Sequence, residues 1–336
     1  MNNSVQPSDL ALFWAAVVAV AIVVYVVLDG FDLGVGILFG TTRDEAHRSQ
    51  MMDSIAPVWD GNETWLVVIG ASLYAAFPAV YAVFLGAFYI PVLLLLLFGL
   101  IFRGVAFEFR LRSGRMKGLW DQGFFIGSTV VAFVQGAAVG AMMHGIPVVN
   151  NQFAGSSFDW LRPFPLLTGI GLVFGYALLG AGWIVMKCEG SLRDLALRRI
   201  PWLAAAMLVV LALAFGLTLD YSDIARSNLH ERSWGFAFPA VGVLALFGVL
   251  LGTRRGHDVL PFAMTALFFV SAFLTLGVMY WPYMVPYAIT VADAAGPEAS
   301  LSFLFWGAGL FVLPVILVYT VAVYWIFRGK VRPGHG

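Results

Sequence analysis

From Trp65 to Phe102 the chain runs for 38 residues without a charged side chain. A helix needs roughly 20 apolar residues to cross a bilayer, so this stretch is too long for one crossing and leaves too little for a loop between two. Pro78 resolves the conflict, because proline lacks an amide hydrogen and clashes with the turn before it. Two helices meeting there in a tight hairpin are expected. Only lipid accommodates such a run, and composition agrees: 61% of the 336 residues are hydrophobic and 11% charged, with a mean hydropathy of +0.88. A soluble domain has about 45–50% apolar and about 25% charged residues.

Nine hydrophobic segments can be read, at about 10–40, 57–77, 79–107, 119–143, 163–187, 200–219, 234–252, 259–281 and 300–327. The expected fold is all-α, a polytopic membrane protein of nine transmembrane helices forming one integral-membrane domain over 1–336. Sub-bundles of four helices are expected near 1–143 and 163–281, with the ninth helix, 300–327, at the periphery. The first segment is overlong, since 31 helical residues rise roughly 46 Å against a hydrocarbon core of about 30 Å. It is expected to tilt, kink near Gly30 or run on into the interface. Met1 to Leu10 contain no Lys or Arg, so the charged leader of a signal peptide is missing and the first segment reads as a retained span.

Cations set the orientation. With the N-terminus periplasmic and the C-terminus cytoplasmic, sixteen of the nineteen Lys and Arg residues fall on the inner side, Arg332 among them. Only Arg162, Arg226 and Arg232 fall outside. The loops at 144–162, 220–233 and 282–299 then cap the outer face. Most of the eleven tryptophans lie near segment ends, as an interfacial aromatic belt would place them.

Several function classes drop out. Nineteen cations against nineteen acids leave no field for nucleic acid. A single cysteine, Cys188, excludes a disulfide framework and a thiolate-held cluster within the chain. His47, His144, His230, His257 and His335 all fall in loops, at segment ends or in the tail. Haem in a bundle needs ligands projecting inward from helices, so no haem bound by this chain and no metal site are expected. Gly34-Val35-Gly36 precedes apolar residues and is not a phosphate loop.

What remains is a set of acids at membrane depth. Asp29, Asp32, Gly36 and Gly40 lie within about 80° of one another on a helix surface. Small residues there admit a neighbouring helix closely, so the two carboxylates should face protein and away from lipid. Ionisable groups in that position mark proton or ion routes by default; the alternative is structural, an ion pair with Arg103 or a helix cap. In the second segment Asp60 and Glu63 have capping-box spacing, yet Asp60, Asn62, Glu63 and Thr64 between Trp59 and Trp65 exceed what a cap needs. Arg103, Glu108 and Asp121 fall on the same membrane side, with Glu108 and Arg112 spaced for a helix-surface pair.

These residues carry a family resemblance. Leu28–Gly36 (LDGFDLGVG), Ser54–Asn62 (SIAPVWDGN), Phe102–Arg110 (FRGVAFEFR), Trp120–Ser128 (WDQGFFIGS), Tyr280–Pro286 (YWPYMVP) and Leu313–Thr320 (LPVILVYT) resemble subunit II of cytochrome bd-type ubiquinol oxidases, in order along nearly the whole chain. The short length and compact outer loops look most like the cyanide-insensitive branch. The resemblance implies a haem-free subunit packed pseudo-symmetrically on a subunit I that holds two haems b, one haem d and the quinol site, in a bacterial inner membrane. Such a complex oxidises ubiquinol, reduces dioxygen to water and generates proton motive force. It also implies no catalytic residue in this chain, a cytoplasmic proton path for which Asp29, Asp32, Asp60 and Glu63 are candidates, and a supporting cluster of Trp59, Asn62, Arg103, Glu108 and Asp121. A structural ubiquinone and a small single-span subunit occur in some relatives.

A proton-coupled permease is the rival from another class. Transporters of that kind often break paired helices at mid-membrane. Here the polar residues gather toward one side, which favours an access path.

Overall fold

The structure, a computed structural model, describes residues 6–110 and 112–331. Expectations that rest on Met1–Val5, Arg332 and His335 lie outside the described residues. Among the described residues, eight helical stretches are long and apolar enough to cross a membrane. Helix α1 is Asp9–Phe39, followed by a short polar helix α2, Glu45–Ile55. Helix α3, Trp59–Ala76, corresponds to the expected second segment and is not among the eight, because its first turns carry Asp60, Asn62 and Glu63. Helices α6 (Lys117–His144), α7 (Pro163–Lys187), α8 (Ser191–Tyr221), α10 (Ala237–Arg254) and α11 (Leu260–Tyr280) follow.

The run after Pro78 is divided differently from the expectation. Proline opens a separate short helix α4, Pro78–Ala87, and the long return begins only at Tyr89, as a π-helical stretch to Leu96 that continues into α5, Leu97–Arg110. Pro91 stands in the first turn of that return, where amide hydrogens lack helical acceptors anyway. The first segment also departs from one expectation: α1 is helical straight through Gly30, with no break there.

Residues Asp29 to Phe39 of α1 are all buried, and the glycines explain how. A Cβ on Gly34 would land on the Tyr176 carbonyl oxygen and within 2.8 Å of the Gly180 nitrogen. Backbone therefore meets backbone where α1 crosses α7, as small residues permit in membrane helices. Helix α7 lies at the centre and packs on α1, α6, α8 and α11. One buried cluster runs from Phe31 through Tyr176 to Phe268 and joins both halves of the chain.

Two ends of the bundle differ in chemistry. At the basic end lie α2, the α5–α6 and α10–α11 connections and the tail. Buried Lys187 donates to the carbonyls of Phe327 and Gly329 at 2.5 and 2.6 Å, Val331 donates to the Lys187 carbonyl at 2.7 Å, and Lys330 pairs with Asp258 at 2.6 Å. The opposite end is capped by α4, the hairpins β1–β2 (Val148–Val149, Gln152–Phe153) and β3–β4 (Tyr283–Val285, Ile289–Thr290), and the short helices α9 (Asp223–Glu231), α12 (Val291–Ala294) and α13 (Glu298–Leu304). From α13 a π-helical stretch, Phe305–Val312, runs into α14, Leu313–Ile326, and none of these last 22 residues is buried.

The tryptophans correct the belt reading in part. Trp202, Trp234, Trp306 and Trp325 are exposed, but Trp14, Trp65, Trp160 and Trp183 are buried core. Trp183 of α7 stacks on Phe31 of α1 at 3.9 Å, and Trp14 donates to the Leu301 carbonyl, tying α1 to α13.

Candidate functional site

Ten residues, about 15 Å, separate Asp29 from the basic end of α1. Asp29 and Asp32 are both fully buried, with Asn62 at 2% and Arg103 at 1% exposure. Their partners come from three further helices. Arg103 of α5 places Nη1 3.6 Å from Asp29 Oδ1 and 2.5 Å from Glu63 Oε1 of α3. Asn62 of α3 donates through Nδ2 to Asp32 Oδ2 at 2.7 Å and to the Leu28 carbonyl at 3.3 Å, while its Oδ1 accepts from the Tyr324 hydroxyl of α14 at 2.9 Å. The guanidinium of Arg103 also lies 5.8 Å over the Trp59 ring.

Asp29 and Glu63 thus share one guanidinium, while Asp32 beside them is held by the Asn62 amide. Isolated buried charge is expensive and is retained where it is paired or used. Both oxygens of Asp29, Oδ1 of Asp32, and Nε and Nη2 of Arg103 have no hydrogen-bond partner. The site is polar, tight and incompletely satisfied within this chain.

Not all the expected residues meet there. Asp60 is exposed on α3 and forms no cap: the N-cap position is Val58, without a side-chain hydrogen bond, and Glu63 turns to Arg103. The capping-box reading is therefore wrong. Glu108 is exposed, and its pair with Arg112 is not formed among the described residues. Asp121 belongs to a second network at the basic end. It accepts from Arg110 Nε at 2.5 Å and Arg48 Nη1 at 2.7 Å, and Arg110 and Lys117 also hold Glu45, at 2.9 and 2.6 Å. Burial pushes the Glu45 carboxyl up, but the hydrogen bonds from Lys117 and Arg110 outweigh it and hold the group below its ordinary range. Between the two networks stand Phe39, Phe124, Phe107 and Trp59, linked ring to ring at 5.2, 6.1 and 5.2 Å.

Residues the sequence did not single out complete the first network. Tyr25, Gln135 and Tyr176 extend it from Asp29 across α1, α6 and α7, and Tyr324 closes it from α14. Gln135 was findable as an amide in the middle of an apolar span, and Tyr25 as a phenol one turn before Asp29.

The donor set does not fit haem. His47 is bonded to Ser191 at 2.8 Å, His144 ends α6, His230 lies in α9 and His257 in the α10–α11 connection. Of these described histidines His144 alone belongs to a long apolar helix, as its last residue, so no pair of ligands projects into the bundle and no redox step is derived in this chain.

Comparison with known proteins gives one consistent result. A family model, cytochrome bd terminal oxidase subunit II, matches residues 10–327. The cytochrome bd-I ubiquinol oxidase subunit 2 of Escherichia coli K12 is 32% identical, over 96% of this chain and 95% of its own length. The cytochrome bd ubiquinol oxidase subunit 2 of Bacillus subtilis is 29% identical, over 95% of this chain and 96% of that protein. Among solved structures, a chain of the bd oxidase from Geobacillus thermodenitrificans matches the fold with a TM-score of 0.73, covering 94% of this chain and 99% of that one at 15% identity.

Proposed function

The chain belongs to the cytochrome bd terminal oxidase subunit II family, and from that membership we propose how it works in a ubiquinol oxidase. It is the haem-free partner of a subunit I that carries two haems b and one haem d, where ubiquinol is oxidised and dioxygen reduced to water. Its own contribution is a proton path from the cytoplasm, so that the reaction generates proton motive force. Nine helices cross a bacterial inner membrane, α3 included, with the N-terminus periplasmic and the C-terminus cytoplasmic. The sixteen-to-three division of cations supports that orientation. The division into two four-helix sub-bundles, the place in the cyanide-insensitive branch, a structural ubiquinone and a small single-span subunit belong to the same reading.

One observation carries the proton role: a buried carboxylate pair reaches the surface through Glu63. Asp60 stands exposed at the basic end of α3, Glu63 follows one turn later with its side chain one-quarter exposed, and Arg103 joins Glu63 to Asp29. Asp60, Thr64, Val67, Ala71 and Tyr74 form one exposed stripe of α3 at helical spacing, beside α14, where Tyr319 approaches Gly61. An acid on a stripe that would otherwise face lipid is costly. Subunit I covering this face would make Asp60 an interfacial group through which protons pass to the partner.

The test is Asp60→Asn in the assembled oxidase. Asparagine keeps the shape and much of the hydrogen bonding but carries no exchangeable acid proton. Haem content should be normal, while ubiquinol-driven oxygen reduction and charge movement slow, and acidic pH should ease the slowing. Unchanged turnover at all pH would remove Asp60 from the path.

A further inference from the structure

Tyr25 lies one turn before Asp29 on α1, the spacing that brings side chains together on one helix face. It shares that face with Asp29, and its hydroxyl accepts from Gln135 Nε2 at 2.7 Å. The Oε1 of the same amide accepts from the Tyr176 hydroxyl at 2.8 Å. Tyr25 is 4% and Tyr176 0% exposed, so these bonds form out of water, where polar groups need partners most. Nothing in the proposed route from Asp60 through Glu63 requires an amide and two phenols on its far side.

The chain of bonds has a direction. Tyr176 gives its proton to the amide oxygen, which turns the amide NH2 toward Tyr25. Since the Tyr25 oxygen accepts, its own proton is left to point elsewhere. The groups around Asp29 are Arg103 from α5, Glu63 from α3, Asp32 on α1, Tyr176 from α7 and Tyr324 from α14. Tyr324 gives its proton to Asn62 Oδ1 and Arg103 bonds Glu63, whereas neither oxygen of Asp29 has a hydrogen-bond partner. Of the three phenols, only that of Tyr25 retains a proton for Asp29.

We propose that Tyr176, Gln135 and Tyr25 are positioning residues, forming a directional hydrogen-bond chain that aims the Tyr25 proton at Asp29 and decides how readily that carboxyl releases its own. Its consequence for turnover rests on the reading that Asp29 lies on the proton path. The physical effect on Asp29 does not. A donor to the carboxylate stabilises the charged form, so losing the donor makes the carboxyl hold its proton more tightly.

Infrared titration of the assembled oxidase tests this, following the carboxyl band that Asp29→Asn removes. In Tyr25→Phe the midpoint of that band should move upward by about one to two pH units, the range of a hydrogen bond to a charged group. Tyr176→Phe, which keeps the ring packed on Gly30, should move it in the same direction by less. An unmoved or lowered midpoint in Tyr25→Phe, or no Asp29 band in any variant, overturns the proposal. Should Tyr25→Phe fail to assemble, an unmoved midpoint in Tyr176→Phe overturns it equally. If Asp29 passes protons, the pH profile of oxygen reduction shifts alongside the band. A shifted band with an unchanged profile sustains the chain and removes Asp29 from the proton path.

Discussion

Arg103 decides the electrostatics of the buried site, because it faces Asp29, Asp32 and Glu63 alone. Replacing it with glutamine leaves Asp29 buried without a countercharge, a loss of about 3–5 kcal/mol when one partner of a buried pair is removed. Little assembled oxidase should then be recovered from membranes. Asp32→Asn should assemble far better, since Asp32 is bonded to the Asn62 amide and not to the guanidinium. Equal loss of complex in both variants, measured as co-purified subunit I, would contradict this ranking. Sequence reasoning offered Arg103 as a structural partner for the two acids without choosing between them, and the pair formed is with Asp29. Arg103 reaches Asp29 from α5 while Asn62 of α3 takes Asp32, and which acid the arginine reaches depends on how α3 and α5 are seated, a tertiary fact that spacing along α1 does not contain. Tyr25 and Gln135 escaped for a different reason: a phenol in a span resembles apolar filler until the amide it touches is known.

At the scale of elements, hydropathy revealed where helices are and less about where they stop. Pro78 was a readable break, whereas the restart at Tyr89 follows from the seating of α4 against β2 and α12 at the capped end, contacts between segments far apart in the chain. Helix α8 runs through Pro201 and begins nine residues before the apolar segment does, its polar first turns being held by Arg193 on Asp258. The same Asp258 takes Lys330 from the tail. Its carboxyl is held below the ordinary range, first by the hydrogen bond from Lys330, which outweighs burial, and then by Arg193. A lowered carboxyl stabilises the native arrangement fully above the unfolded value, near pH 4, and the contribution fades as pH falls through the lower folded value. The tail should therefore stay protected at neutral pH and become more accessible to protease or hydrogen exchange below about pH 4. Asp258→Asn should expose it at pH 7 already. A tail equally protected in both proteins would show that Lys187 holds it without help.

For the whole molecule, orientation is the first thing to measure. Reporter fusions after Arg115 should read cytoplasmic and after Gly155 external, and an external signal at Arg115 would invert the bundle. With that orientation, the basic network of Glu45, Arg48, Arg110, Lys117 and Asp121 is a platform at the cytoplasmic interface, and the Asp29 site lies deeper. The rings of Phe39, Phe124, Phe107 and Trp59 stand between them, and no hydrogen bond among the described residues joins the two networks. In the language of thermodynamic cycles, groups that share no partner add, and groups that share one do not. Stability lost in Arg48→Met and in Asp32→Asn should sum in the double variant to within about 0.5 kcal/mol, whereas Arg48→Met combined with Asp121→Asn should lose less than the sum. The aromatic layer therefore makes the molecule two independent ledgers of charge, so that the surface can be altered without disturbing the acid beneath it.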